Sequence, residues 1–203
     1  MTYTIIEDCS PFYIRFTFPG IEEIVKFVKE NLEHATIVER ATSYQHTTFE
    51  LKYGYQILSK LPMYRPGMWR ERRVSIFSTE PGSGSGIHKD GNDTRVSFNI
   101  PITVLDDKCV TSWYSDDVQP SAGDRETSQY GRVACVWNKT GFDHIPKLKE
   151  LVAKPNEMIL FNTDIYHSWD NRNSSNIRQI LTLRLVEQGT VYFEDARKAL
   201  FGY

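Results

Sequence analysis

Features that would point to a secreted, membrane-embedded or nucleic-acid-binding protein are missing from this sequence. It has three cysteines in 203 residues and no C-x-x-C motif, so neither a disulfide framework nor a structural zinc site is expected. No apolar run approaches the roughly 18–20 residues that span a bilayer, and no basic and apolar leader is present. The net charge of −2 provides no basic surface for nucleic acid. We therefore expect a soluble, cytoplasmic protein that binds neither membranes nor nucleic acid.

The apolar content, by contrast, is high enough for a substantial core, since 40% of the residues are hydrophobic and 13% are aromatic. A chain of this length is expected to form a single domain over residues 1–203. Apolar residues at three- and four-residue steps predict a helix within residues 20–34. Further helices are predicted within residues 49–61, 145–153 and 194–201.

From residue 73 onward, short β-type runs alternate with turn residues. In residues 94–102, Val96, Phe98 and Ile100 share one face of a predicted strand, and polar residues occupy the other. Similar runs predict strands within residues 74–77, 110–114, 132–137, 158–161 and 177–186. Many short strands with such punctuation favour an all-β sandwich or barrel. We expect a mainly β fold with its core at about residues 73–186, a helical support in residues 1–72 and a C-terminal helix packed outside.

Residues 115–131 form the longest polar stretch and contain little that could enter a core. Loops of this length inside a domain are often mobile or functional. The stretch is therefore interpreted either as a solvated surface insertion or as a lid over a site.

His88-Lys89-Asp90 is the motif with the clearest chemistry. It follows a Gly/Ser-rich run at residues 81–86 and precedes a turn signal at residues 91–93, which predicts a short extended segment. In such a segment the side chains at positions i and i+2 point to the same side. The imidazole and the carboxylate could then bind one ion while Lys89 faces away. Two histidines and one carboxylate make the facial triad of non-haem Fe(II) sites.

The second histidine of such a triad must be His34, His46, His144 or His167. The first two lie in the predicted helical part, and His144 precedes a lysine-rich segment. His167 is favoured because a strand, a turn at residues 162–164 and a second extended segment lead to it.

A cation follows His167 at the start of an apolar run. Arg178 lies eleven residues further on, and a buried arginine there would need an anionic partner, such as the carboxylate of a co-substrate. A surface position on an exposed sheet face is the alternative. Arg184, on the same strand face, competes for the same role.

The order His-x-Asp, a long gap, His and then Arg resembles the Fe(II)/2-oxoglutarate-dependent oxygenases. The stretches that carry the resemblance are residues 80–90, 95–102 and 160–171, and they look most like the branch with aspartyl/asparaginyl β-hydroxylase-like and free-proline hydroxylase-like enzymes. The likeness covers roughly residues 73–186. Residues 115–131 have no counterpart in the family, so no substrate is carried over from it.

The resemblance implies a double-stranded β-helix (jelly-roll) core. It also implies that His88, Asp90 and His167 are catalytic and bind Fe(II), and that Arg178 binds the distal carboxylate of 2-oxoglutarate. With O2, such an enzyme hydroxylates a C–H bond and releases succinate and CO2. Related halogenases lack the carboxylate ligand, so Asp90 favours hydroxylation.

Other roles implied for this chain concern the neighbouring strand. Ser97 and Asn99 are expected to contact 2-oxoglutarate and Arg95 the substrate, which would be a small molecule, an amino acid or a peptide side chain. The alternative function is a non-catalytic cupin-like module that binds a metal or ligand. Such a module would not require an arginine at position 178 to bind a co-substrate.

Overall fold

The computed structural model describes residues 3–40, 44–90, 95–115, 125–127, 133–135, 145–186 and 191–203. Thirteen strands and three α-helices lie within these ranges. The strands are β1 (Thr4–Cys9), β2 (Tyr13–Thr17), β3 (Ala35–Arg40), β4 (Gln45–Phe49), β5 (Ser75–Thr79), β6 (Val96–Pro101), β7 (Val110–Tyr114), β8 (Arg125–Thr127), β9 (Val133–Cys135), β10 (Lys147–Leu151), β11 (Met158–Asn162), β12 (His167–Asp170) and β13 (Arg178–Leu183). Within the described ranges, no helix has the length and apolar character needed to cross a membrane.

The strands form two facing antiparallel sheets and a separate hairpin. The larger sheet has the order β1-β2-β11-β6-β13-β5-β4-β3, the smaller sheet has the order β10-β7-β12, and β8 pairs with β9. Trp113 of β7 is fully buried between the two sheets, where its ring stacks on Tyr13 and packs against Phe161. Since apolar side chains of both sheets meet in this layer, the architecture is a β-sandwich.

The opposite face of the larger sheet packs against the helices. These are α1 (Ile21–Glu30), α2 (Leu51–Ser59) and α3 (Phe193–Phe201). In α1 the buried residues fall at helical spacing, and together with Phe98 of β6 they belong to the main hydrophobic core. Strand β6 therefore has an apolar face toward the helices, while Ser97 and Asn99 point toward the smaller sheet.

Two sequence predictions about secondary structure were wrong. The helix predicted within residues 145–153 is strand β10, which pairs with β7 through Lys149–Trp113 and Leu151–Thr111. This cross-strand pairing outweighs the local helix propensity of the Lys/Leu/Glu-rich segment. The helical support predicted for residues 1–72 has two helices, but it also supplies four strands of the larger sheet. The predicted C-terminal helix and the remaining strands are confirmed, with shifts of a few residues at their ends.

Candidate metal centre

A backbone ladder places the two histidines side by side. The extended segment around His88 runs antiparallel to β12, and the amide nitrogens of His88 and His167 each donate to the other residue's carbonyl oxygen over 2.9 Å. Residues that exchange both hydrogen bonds in this way carry their side chains on the same face. The two imidazole ring centres are accordingly 4.5 Å apart.

Asp90 completes the group from the same segment. Its amide donates to the carbonyl of Thr163 over 3.1 Å, which continues the extended pairing and puts the carboxylate on the histidine side. Its Oδ1 atom lies 3.5 Å from Nε2 of His88 and 3.7 Å from Nε2 of His167. The ligand atoms of all three residues lie within 4.8 Å of one another. The predicted convergence of His88, Asp90 and His167 is thus present in the structure.

The outer nitrogens of the two rings face backbone carbonyls. Nδ1 of His88 lies 2.8 Å from the carbonyl oxygen of Gly86, and Nδ1 of His167 lies 2.8 Å from that of Ile165. A carbonyl oxygen can only accept, so each ring holds its proton on Nδ1. Nε2 of each ring then points toward the carboxylate. Such outer hydrogen bonds are typical of metal-binding histidines, whose orientation and tautomer they fix.

These donors suit a divalent transition metal. Neighbouring ligands of one ion, at bonds of about 2.1 Å and right angles, are about 3 Å apart. The separations of 3.5 and 3.7 Å between Oδ1 of Asp90 and the two Nε2 atoms are longer than this, and small side-chain rotations would bring the three ligands onto one ion. His167 and Asp90 are buried, with exposures of 4% and 9%, so few water molecules can hydrogen-bond to the ligand atoms in place of a metal ion. Three ligands on one side leave the other coordination positions open.

The triad lies at one end of a pocket of about 80 Å³ between the two sheets. Ser97 and Asn99, which share one face of β6, line this pocket. The hydroxyl of Thr182, on the adjacent strand β13, donates to Oδ1 of Asn99 over 3.0 Å. This bond orients the Asn99 amide so that its NH2 group remains available as a donor toward the pocket.

Arg178 lies at the start of β13 and lines the same pocket. Its guanidinium is 5.7 Å from the centre of the Trp169 ring and close to the Cys109 thiol. Burial lowers the pKa of Arg178, and the Cys109 thiol partly offsets this effect. In the described part of the chain it forms no ion pair with a carboxylate. A cation in such an environment favours the binding of an anion.

Arg184 lies on the same strand face, six residues further along, and also lines the pocket. One of its terminal nitrogens is 3.8 Å from Oδ2 of Asp90, the oxygen that does not face the histidines. At about 3.3 Å per residue, the two arginine backbones are roughly 20 Å apart. Arg184 therefore belongs to the triad end of the pocket, and Arg178 to the other end.

Arg95, the predicted substrate contact, does not line this pocket. Its guanidinium is 2.8 Å from Oδ2 of Asp164 and stacks over the ring of Tyr192, at 4.6 Å. The Arg95 side chain turns away from the pocket because its guanidinium forms an ion pair with the carboxylate of Asp164, which is distant in the sequence.

Among the described residues, neither His34 nor His46 belongs to the group of ligand atoms. His34 stacks on Tyr53, and His46 stacks on Phe77. His144 lies outside the described residues, and so does most of the stretch at 115–131 with its predicted lid.

Several pocket residues were not predicted as site residues. They are apolar, aromatic or hydroxyl-bearing and come from five strands and one loop: Phe77, Thr111, Phe161, Thr163, Trp169, Ile180 and Thr182. The last two share the strand face of Arg178, so their spacing could have revealed them. The others depend on which strands pair across the sandwich, and local sequence carries no such information.

Comparison with known proteins supports the fold. Neither a protein-family model nor a curated protein matches the chain. Among solved structures, HygX from Streptomyces hygroscopicus, with nickel, 2-oxoglutarate and hygromycin B bound, has a TM-score of 0.56 at 8% identity, over 84% of this chain and 81% of its own. A 2OG-Fe(II) oxygenase family oxidoreductase from Burkholderia pseudomallei has a TM-score of 0.54 at 11% identity, over 87% and 84%.

The epimerase SnoN, in complex with Fe3+, alpha ketoglutarate and nogalamycin RO, has a TM-score of 0.53 at 11% identity, over 85% of this chain and 78% of its own. At these identities the likeness establishes the fold. The chain has the mainly β, jelly-roll architecture of cupin-like proteins, with N- and C-terminal helices, and the predicted fold class is confirmed.

Proposed function

We propose that this protein is an Fe(II)- and 2-oxoglutarate-dependent oxygenase. The observation that carries the proposal is the triad of His88, Asp90 and His167, in which both histidines direct Nε2 toward one carboxylate oxygen. The fold supports it, because the solved structures similar to this chain include proteins with iron or nickel and 2-oxoglutarate bound.

In this proposal the triad holds the metal from one side. Bound iron, with 2-oxoglutarate and O2, supplies oxidation of a C–H bond coupled to the conversion of 2-oxoglutarate to succinate and CO2. The carbonyls of Gly86 and Ile165 hold the Nδ1 side of each ring, so that Nε2 of both histidines faces the position the metal would occupy. With iron bound, the Asp90 carboxylate would be one of its ligands, and this would favour hydroxylation over halogenation.

The two arginines divide the recognition of 2-oxoglutarate between them. A 2-oxo acid bound to the metal would be held through its first carboxylate and its keto oxygen, so that end would lie beside the triad. Arg184, next to Asp90, is the cation nearest to it. Arg178 lies at the other end of the pocket, and in this proposal it binds the distal carboxylate of 2-oxoglutarate through paired hydrogen bonds. This assignment gives both candidate arginines a role.

Asn99 and Ser97 would donate hydrogen bonds to the same co-substrate. Thr182 already occupies Oδ1 of Asn99, so its NH2 group is the part that can bind a carboxylate or keto oxygen. A buried serine hydroxyl such as that of Ser97 can donate likewise.

The substrate is proposed to be a small molecule, an amino acid or a peptide side chain. Assignment to the branch of aspartyl/asparaginyl β-hydroxylase-like and free-proline hydroxylase-like enzymes stays a prediction from three sequence stretches. The alternative of a non-catalytic binding module is less well supported, because it gives Arg178 no anion to bind.

Titration of Ni²⁺, as an oxygen-stable substitute for Fe(II), tests the site. We expect the parent protein to bind one equivalent and Asp90→Ala to bind at least about tenfold more weakly, since one of three ligands is lost. Asp164→Ala is the matched control, because that carboxylate pairs with Arg95 away from the triad. Equal affinity in parent and Asp90→Ala would show that the metal assignment is wrong.

A further inference from the structure

A second cavity, much larger than the pocket at the triad, lies on the opposite face of the larger sheet. Its volume is about 670 Å³. Phe98 of β6 contributes to its wall, while the adjacent Ser97 and Asn99 line the metal pocket. Since neighbouring residues of a strand point to opposite faces, the sheet itself separates the two spaces. The cavity therefore plays no part in the site described above.

The wall of this cavity is mostly apolar. Trp69 and Leu185, which pair across an isolated β-bridge, form its floor together with Phe98, and all three are at most 4% exposed. On α3, the small side chains of Ala196 and Ala199 face the same space and leave it open. A volume of several hundred Å³ with such a wall is typical of sites for small organic ligands.

Two hydrogen-bond donors lie at one end of the cavity. Arg65 lines it and is exposed, and it forms no ion pair with a carboxylate of the described residues. Tyr3 is close by: burial raises the pKa of its phenol, and the positive charge of Arg65 lowers it in part. A guanidinium and a phenolic hydroxyl in the wall of one cavity are donors that suit a carboxylate.

The acidic residue in the wall does not cancel this preference. Asp195 lies in the first turn of α3, where its Oδ2 accepts the amide hydrogen of Tyr192 over 3.2 Å. Its charge is thus held by the helix N-terminus, which favours a negative group. Among the described residues of the cavity wall, the positive charge of Arg65 is therefore available to bind an anionic ligand.

We propose that this cavity binds a lipophilic carboxylate, whose apolar chain lies on Trp69, Phe98 and Leu185 and whose carboxylate contacts Arg65 and Tyr3. Burial of the apolar chain supplies most of the affinity. The charged end selects acids over neutral molecules of the same length. The proposal is independent of the proposed oxygenase function.

Isothermal titration with decanoate and with its neutral counterpart decanol tests this site. We expect decanoate to bind the parent protein saturably and more tightly than decanol. Arg65→Met should weaken decanoate at least about fivefold and leave decanol unchanged, because only the charge-assisted hydrogen bonds are lost. Arg72→Met, an exposed arginine outside the cavity, is the matched control and should bind as the parent does.

Two further variants locate the binding. Ala199→Trp, at an exposed position of α3, should fill the cavity and abolish binding of both probes, with folding checked by circular dichroism. Arg178→Gln should leave decanoate binding unchanged, since it alters the metal pocket. The proposal is overturned if decanoate does not bind the folded parent protein, if Arg65→Met and Arg72→Met behave alike, or if Arg178→Gln abolishes binding.

Discussion

Arg178→Gln should remove the ability of the protein to distinguish 2-oxoglutarate from 2-oxopentanoate, which has the same length but no distal carboxylate. In the proposed site that carboxylate forms two charge-assisted hydrogen bonds with Arg178, each contributing about 1.5–3 kcal/mol. The partial burial of Arg178 preserves this contribution, whereas exposure of the guanidinium would reduce it. Allowing for incomplete desolvation, we expect roughly 2–4 kcal/mol, or a factor of about 30–1000 in affinity.

The assay is calorimetric titration of both 2-oxo acids into the Ni²⁺-loaded protein. The parent should prefer 2-oxoglutarate by the stated factor, and Arg178→Gln should bind both acids with the weaker affinity. Arg184→Gln should weaken both acids equally, because its partner is the carboxylate that they share. Arg172→Gln is the matched control, since Arg172 is paired with Asp170 at 2.6 Å and does not line the pocket.

An unchanged preference in Arg178→Gln would refute the assignment of the distal carboxylate to Arg178. If instead Arg184→Gln abolishes the preference, the co-substrate lies in the opposite orientation. Bound metal should be equal in all three variants, which separates loss of the co-substrate from loss of the ion.

Two further predictions concern stability. Asn171 is fully buried, and its side-chain NH2 group lies within hydrogen-bond distance of the carbonyls of Thr79, Glu80 and Asn176. Asn171→Ala should therefore lower the free energy of unfolding, measured in urea, by about 2–4 kcal/mol. A decrease of less than about 0.5 kcal/mol would contradict this role. Partial burial and the hydrogen bond to Glu71 raise the pKa of Tyr64 to about 12 from its usual 10.0. The folded state then holds this proton more tightly than the unfolded state, so stability should be fully present below pH 10 and fall as the pH rises toward 12. Unfolding measured across this pH range should show a shallower fall in Tyr64→Phe, and an identical profile would contradict the assignment.

The parts of the site that depend on local spacing could be predicted from the sequence. His88 and Asp90 are two residues apart on an extended segment, and this spacing alone places both on one side. Ser97 and Asn99 face the pocket for the same reason. His167 was favoured because a strand and a turn precede it, and the pairing of His88 with His167 agrees with that choice.

Features that depend on contacts between distant segments could not be predicted in this way. Arg95 shares the alternation of Ser97, yet Asp164 draws its guanidinium away from the pocket. Strand β10 was predicted as a helix because its lysines, leucines and glutamate favour a helix. Its pairing with β7 is a contact between distant segments and cannot be inferred from the local sequence. Strands β1 to β4 form the two edges of the larger sheet, where exposed apolar residues such as Ile6 and Val38 break the apolar–polar alternation of the sequence.

Turnover of isotopically labelled 2-oxoglutarate, followed by NMR with Fe(II), ascorbate and O2, tests the central claim most directly. The account predicts that the parent protein forms succinate, and that Asp90→Ala forms none above the protein-free background. Equal succinate formation by parent and Asp90→Ala would contradict it. So would the absence of succinate from a parent protein that binds both the metal and 2-oxoglutarate, assayed with a panel of amino acids and peptides as substrates.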